Sequence, residues 1–205
     1  MSVLNPKPVY RKDYQLSKYL IKTTELVFEL LEHETIVSSK ISFYKNKEAS
    51  GLQSRENRLF LNGVDIELIS ISINGAEPAY ETKKDGIELR NLEDEFIVDI
   101  KTRIHPEKNT SLNGLYKSSG NYCTQCEAHG FRNITYYLDR PDVLSVFTTT
   151  IRADDDKYPT LLSNGNLVNK SPGSATWHDP APKPCYLFAL VAGKFSVLED
   201  SYKTK

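Results

Sequence analysis

Through the first 105 residues apolar and polar side chains alternate with a period of two between turn-forming residues, and helical periodicity is almost absent. Leu26, Phe28 and Leu30 share one face, a turn is expected near Glu32-His33-Glu34, and Ile41 and Phe43 share one face of the next strand, so a hairpin is predicted. Ile66-Ile73 leads into Asn74-Gly75, a dipeptide suited to the positive φ angles of a tight hairpin turn. Asp85-Gly86 repeats the signal before Ile87-Leu92, and Phe96-Ile104 reads as another strand.

The pattern breaks at His105-Pro106-Glu107-Lys108-Asn109, a polar stretch that reads as joining two β halves of one domain spanning residues 1–205. Beyond the glycine- and cysteine-bearing run Gly114-Gly130, Arg140-Pro141-Asp142-Val143 reads as a short helical turn, because proline suits a first helical position. Val146-Ile151 returns to strand, Asn164-Gly165 and Pro172-Gly173 are turns, and Tyr186-Val191 and Phe195-Leu198 are expected to close the chain as strands. The fold class expected from this pattern is all-β, built from many short, mostly antiparallel strands.

Composition narrows the function classes. Charged residues make up 26% of the chain and the net charge is -1, which argues against a nucleic-acid or other polyanion partner. The start, Met1-Ser2-Val3-Leu4-Asn5-Pro6-Lys7, has no apolar core of a signal peptide, and no stretch approaches the roughly 18 apolar residues of a membrane span. A soluble, cytoplasmic protein with no membrane partner is expected. Cys123, Cys126 and Cys185 form an odd set that fits reduced thiols better than disulfides, and the sequons at Asn109, Asn133 and Asn169 read as chance.

From Gly114 onward the residues resemble a known family. Gly114-Leu115-Tyr116-Lys117-Ser118, Cys123-Thr124-Gln125-Cys126-Glu127-Ala128 and the run from Gly130 to Val143 are similar to the segment that bacterial aminopeptidase N enzymes contribute to their substrate pocket. Tyr158-Pro159-Thr160-Leu161-Leu162-Ser163-Asn164-Gly165-Asn166 and Lys183-Pro184-Cys185-Tyr186-Leu187-Phe188-Ala189-Leu190-Val191-Ala192-Gly193 resemble later blocks, and Leu61-Asn62-Gly63 is a weaker echo. The resemblance implies an amino-terminal, saddle-shaped domain of two fused β-sandwich-like halves, belonging to a zinc metallopeptidase of the gluzincin type.

Enzymes of that family hold zinc with H-E-x-x-H and a downstream glutamate. His33-Glu34-Thr35-Ile36-Val37 begins like the motif but lacks its second histidine, and a G-x-M-E-N loop is absent because the sole methionine is Met1. The expected metal and cofactor content of this chain is therefore none, with zinc in the parent enzyme. The fragment is expected to be inactive alone, an excised domain whose partners are its own catalytic domain and the amino terminus of a peptide substrate. A free-standing β-rich binding module is the alternative.

By the same resemblance, Glu127 accepts charge-assisted hydrogen bonds from the substrate α-ammonium and Gln125 offers its side-chain oxygen nearby. On an extended segment the two would share one face while Cys126 points to the other. From spacing alone, a Gln-x-Glu on a polar strand reads as a solvated sheet face. Cys123-Thr124-Gln125-Cys126 invites a zinc or redox reading with His129. Residues three apart on a strand face opposite sides, however, so buried reduced cysteines are expected instead. His129 stands where family members often carry an acidic residue, Asp154-Asp155-Asp156 reads as a solvated turn, and Asp139-Arg140-Pro141-Asp142 as a structural corner with local salt bridges.

Overall fold

A computed structural model describes residues 8, 10–49 and 57–204; the Met1–Lys7 stretch considered above lies outside them. They form fourteen strands: β1 (Tyr19–Leu30), β2 (Thr35–Lys45), β3 (Leu59–Asn62), β4 (Glu67–Ile73), β5 (Tyr80–Lys83), β6 (Gly86–Leu89), β7 (Glu95–Ile104), β8 (Gly114–Ser118), β9 (Asn121–Gln125), β10 (Leu144–Arg152), β11 (Thr160–Ser163), β12 (Asn166–Ser171), β13 (Ser174–Pro184) and β14 (Leu190–Gly193). Only single-turn 3-10 helices interrupt them, and no described helix is long and apolar enough to cross a membrane.

Three sheets result. The largest has the order β12-β13-β10-β1-β2-β7-β4, a second runs β11-β14-β9-β8, and the third is β3-β6-β5. Between β2 and β7 the chain forms the three-stranded sheet, with β4 returning to the large sheet between β3 and β5; after β7 its strands alternate between the four-stranded sheet (β8, β9, β11, β14) and the large one (β10, β12, β13). Phe28, Val37, Ile41, Val98 and Ile151 of the large sheet join Leu61, Ile87 and Leu89 of one small sheet and Leu115, Tyr122 and Leu190 of the other in a single buried cluster. The all-β, sandwich-like expectation is met: both small sheets cover the same side of the large one.

Several local expectations are revised. β1 and β10 pair in parallel, unlike every other described ladder, and β1, β2, β7 and β13 are long rather than short. Asn74 and Gly75 do adopt φ of 51° and 81°, yet the hairpin ends after the single Ile73↔Ala76 bridge. β4 instead pairs along its length with β7, from Glu67 opposite Arg103 to Ile73 opposite Val98. The β5-β6 turn sits one residue earlier than expected, at Lys84-Asp85, with Gly86 already paired to Lys83; a Cβ on Gly86 would stand 2.1 Å from the Leu61 carbonyl oxygen of β3. At Asn164-Gly165 the chain crosses between two sheets, whereas Pro172-Gly173 closes a true hairpin.

Pro141-Asp142 makes one hydrogen-bonded turn and no helix. Tyr186–Val191 divides into a 3-10 turn and the start of β14, and Phe195–Leu198 is not a strand: no described ladder remains for it to join, leaving Val197 74% and Leu198 94% exposed. The prolines at 180, 182 and 184 lie within β13. Past His178, β13 has no β12 partner, so an outer edge lacking N–H groups costs nothing there.

The hub of the core is Phe131, wholly buried, whose ring lies 4.6 Å from Tyr137, 5.3 Å from Phe188 and 6.1 Å from Phe147. Phe131→Ala is expected to lower stability by about 3–5 kcal/mol in urea unfolding, the usual cost of emptying a large aromatic site; a loss under about 1 kcal/mol would show that the ring is not a keystone.

Candidate functional site

Gln125 is the last residue of β9, and the chain then turns through Cys126-Glu127-Ala128-His129-Gly130 instead of staying extended. The expected strand position of Glu127 is thus corrected, for a physical reason: Gln125 pairs with Gly114, the first residue of β8, and the ladder is exhausted. Gly130 N donates to the Cys126 carbonyl at 2.8 Å, and Gln125 Nε2 donates to the Glu127 carbonyl at 3.1 Å. The Glu127–Ala128 peptide is cis.

Two glycines allow this turn. A Cβ on Gly130 would stand 2.3 Å from the Gln125 carbonyl oxygen, and one on Gly114, at φ +75°, would meet Gly130 O and Asn133 Cβ at 2.9 Å. Turn and strand therefore touch backbone to backbone.

Beneath them Cys126 is 2% exposed, pointing inward as expected, while Gln125 and Glu127 both stay exposed. The structure brings the two together in one turn, and the Glu127 carboxylate meets no hydrogen-bond donor or cation among the described residues. Neither lines the cleft of about 710 Å³ beside the β1-β2 turn, whose walls include Leu31, His33, Glu107, Lys117 and Tyr158.

The turn is anchored by pairings of Asp139 that pattern reading missed. Asp139, 4% exposed, accepts from Arg132 Nε at 2.7 Å, from Arg132 N at 3.3 Å and from the Cys185 thiol at 3.1 Å. Arg140 clasps Asp142 at 2.6 Å and Tyr14 donates to the same carboxylate at 2.8 Å, which is the salt-bridged corner expected from Asp139-Arg140-Pro141-Asp142. A buried Asp beside Arg is invisible to a period-two reading; its sequence signal was only two opposite charges seven residues apart, flanking aromatic positions.

The other candidates separate. His33-Glu34 is the exposed tip between β1 and β2, where Glu34 pairs with Arg103. His178 on β13 bonds Thr148, and His129 is exposed on the turn. Asp154 caps its own turn by accepting from the backbone of Asp156 and Lys157. The three cysteines are free thiols, and among the described residues no three His, Cys, Asp or Glu side chains converge as a metal site.

The four-stranded sheet also has an outward side. Its inward positions, Leu161, Leu190, Tyr122 and Leu115, are buried, and each is followed directly by another apolar residue, Leu162, Val191, Cys123 and Tyr116. Strands facing water on one side alternate; doublets of this kind mark apolar surface on both sides.

Residues 49–187 match the family model of the peptidase M1 N-terminal domain. Among curated proteins, the aminopeptidase N of Escherichia coli (strain K12) is 46% identical over 207 residues, covering 98% of this chain and 23% of that protein. Among solved structures, the Legionella pneumophila aminopeptidase A in complex with aspartic acid superposes with a TM-score of 0.80 at 34% identity, over 89% of this chain and 22% of that one. A two-domain M1 zinc metallopeptidase bound to L-tryptophan shares the fold at TM-score 0.72 and 14% identity, over 87% of this chain and 43% of that one. The chain thus spans less than a quarter of the length of the Escherichia coli relative.

The thiols under the turn carry a pH signature. Burial, aided by the Asp139 charge, pushes the Cys126 thiol from 9.0 up to about 12, and burial and Asp139 push Cys185 up as well. A raised folded value means that stability is intact below pH 9.0 and is lost as pH climbs toward about 12, since the unfolded thiol releases its proton first. Urea midpoints are expected to fall between about pH 8 and about pH 10.5, less steeply in Cys126→Ala than in the parent chain; equal slopes would place Cys126 in water.

Proposed function

The chain belongs to the peptidase M1 N-terminal domain family, and from that premise we propose that residues 1–205 are the amino-terminal domain of a zinc-dependent aminopeptidase that acts in the cytoplasm. The domain holds the free amino terminus of a peptide while a separate catalytic domain cleaves the first peptide bond. The observation that carries this reading is an exposed carboxylate, Glu127, without a counter-ion among the described residues, on a turn held rigid from below. Support for a second unit comes from relatives: the matching part is 23% of the Escherichia coli aminopeptidase N and 43% of the two-domain metallopeptidase.

Zinc does not fit this chain's own donors, because no described cluster of three ligating side chains exists, so the proposal places the metal on the other domain. What these residues do is bind and orient. Glu127 accepts hydrogen bonds from the substrate ammonium, a charge-assisted contact roughly twice as strong as a neutral one. Gln125, tied through Nε2 to the Glu127 carbonyl, keeps its side-chain oxygen free to accept a further ammonium proton. Fixing that end of the peptide sets the distance from the amino terminus to the bond to be cut, which is why only one residue leaves at a time. An acylated amino terminus lacks the charge and is rejected.

The test is a chimaera in which this chain replaces the matching part of the Escherichia coli aminopeptidase N. Glu127→Ala is expected to lower kcat/KM on a free-amine dipeptide by about thirtyfold or more, equivalent to at least about 2 kcal/mol, with Glu127→Gln intermediate. If Glu127→Ala cleaves as fast as the parent, or if N-acetylated peptides are cut equally well, the anchoring role is wrong.

A further inference from the structure

We propose that the cleft beside the β1-β2 turn is a binding site for a small zwitterion with an apolar body, an α-amino acid or a dipeptide, separate from the Glu127 turn. Its volume of about 710 Å³ is that of a small-molecule site. Four segments close around it: the β1-β2 turn, the 3-10 turn Pro106–Lys108, the end of β8 at Lys117 and the β10-β11 connection between Arg152 and Tyr158. The site stands on its own geometry and does not require the aminopeptidase reading, although an amino acid is what such a reaction releases.

The walls are already fixed. Tyr122 on β9 donates its hydroxyl to the Leu31 carbonyl at 3.0 Å, and Leu31 N donates to the Glu34 carbonyl at 3.0 Å, so the β1-β2 turn is pinned. On the β10-β11 connection the Asp154 carboxylate accepts from the backbone of Asp156 and Lys157, and Tyr158 N donates to the Asp154 carbonyl at 2.8 Å. The Tyr158 ring lies 5.1 Å from that of Tyr122, so one tyrosine ties both walls together. Leu31, 47% exposed, and half-buried Tyr158 offer apolar surface from the two sides of that tie. A preformed cleft of this kind spends little of its binding energy on ordering loops.

Charge decides the class of ligand. Carboxylates and cations line the cleft in near balance, which suits neither a polyanion nor a polycation. Most of them are occupied with one another: Arg152 stands 3.4 Å from Glu29, and Lys117 donates to Glu107 with its ammonium 4.7 Å from the centre of the Tyr122 ring. Asp154 is engaged by its own turn. Glu32 and Lys157 remain, one charge of each sign, and neither side chain has a partner among the described residues. A molecule that bears both an ammonium and a carboxylate satisfies both, with Glu32 accepting from the first and Lys157 donating to the second. Its apolar body then covers Leu31 and Tyr158. The Glu127 turn lies elsewhere, because Lys117 pairs with Tyr122 three ladder steps from the Gly114-Gln125 pair at which that turn begins.

The test is an amide chemical-shift titration of the 205-residue chain with L-leucine and with Leu-Gly as probes. Shifts are expected at residues 31–33 and 156–158, saturating with a Kd of about 1–5 mM, and the tighter probe identifies the source as free amino acid or peptide. N-acetylleucine lacks the ammonium and leucinamide lacks the carboxylate, and each is expected to bind at least about threefold more weakly, the usual weight of one partly exposed ion pair. Glu32→Gln and Lys157→Gln are expected to weaken both probes to the same degree while leaving the rest of the spectrum as in the parent, since both side chains are exposed. Glu127→Ala is expected to bind as the parent does. Absence of saturation at about 50 mM would overturn the proposal, as would equal binding of N-acetylleucinamide, which carries neither charge. Shifts confined to residues 126–130 and abolished in Glu127→Ala would also overturn it and would uphold the anchor instead. Cleavage by the Glu127→Ala chimaera has no bearing on this titration, so the two readings fail separately.

Discussion

The buried carboxylate of Asp139 ties together the segments on which the exposed turn depends. An isolated charge in a protein interior is costly by several kcal/mol, so Asp139 persists only because Arg132 stands against it and donates from both side chain and backbone. That requirement pins the 3-10 turn Phe131–Asn133, the stretch immediately after Gly130, and with it the exit of the Glu127 turn. The third donor, the Cys185 thiol, keeps its proton because burial and the neighbouring carboxylate both raise it, so the pair is self-consistent: the charge that needs a donor also maintains one. Cys185 in turn begins the 3-10 turn that leads to Phe188 and β14. One carboxylate thereby couples the anchor turn, the aromatic hub and the last strand of the four-stranded sheet.

The two exposed sheet faces divide the labour. The large sheet turns charged cross-strand rows to water, which keeps that side soluble and leaves its inner side to build the core. The four-stranded sheet has too little polar surface to behave that way, since each of its strands carries an apolar doublet. A domain with one solvated side, one packed middle and one uncharged outer side has a direction, and Gln125 and Glu127 lie at the margin of the uncharged side.

Much of the fold was legible in the sequence because burial on a single face forces alternation, as at Leu26, Phe28 and Leu30 against Ile41 and Phe43. The misreadings share a cause. A turn signal specifies local φ angles but not which strand wins the edge, so Asn74-Gly75 turned as expected while β4 went to β7, and nothing local announces that β1 accepts β10 in parallel. Phe195–Leu198 alternates suitably but has no ladder to join. At the site, resemblance supplied Gln125 and Glu127, and the alternation rule then misplaced Glu127 on a strand because ladder length is a property of the partner β8. Asp139 was legible as part of a salt-bridged corner, but its buried pairing with Arg132 was not, since burying a pair of opposite charges leaves no periodic trace. The doublets on β8, β9, β11 and β14 were visible all along, and their meaning depended on seeing four of them brought into one sheet.

Exposure of Glu127 limits what the domain can do by itself. At about 4 Å in bulk water an ammonium and a carboxylate attract by only about 1 kcal/mol, whereas at the effective dielectric of a partly covered site the figure is about 4 kcal/mol. A carboxylate open to solvent would therefore hold a peptide amino terminus weakly, however rigid its turn. In the proposed function a separate catalytic domain closes over the turn and excludes water from it, so the carboxylate grips the ammonium only when the two domains are together. The rigidity provided by Gly114, Gly130, Phe131 and Asp139 then has its purpose in position rather than strength: the carboxylate waits at a set place, and the covering domain supplies the dielectric in which its charge becomes effective.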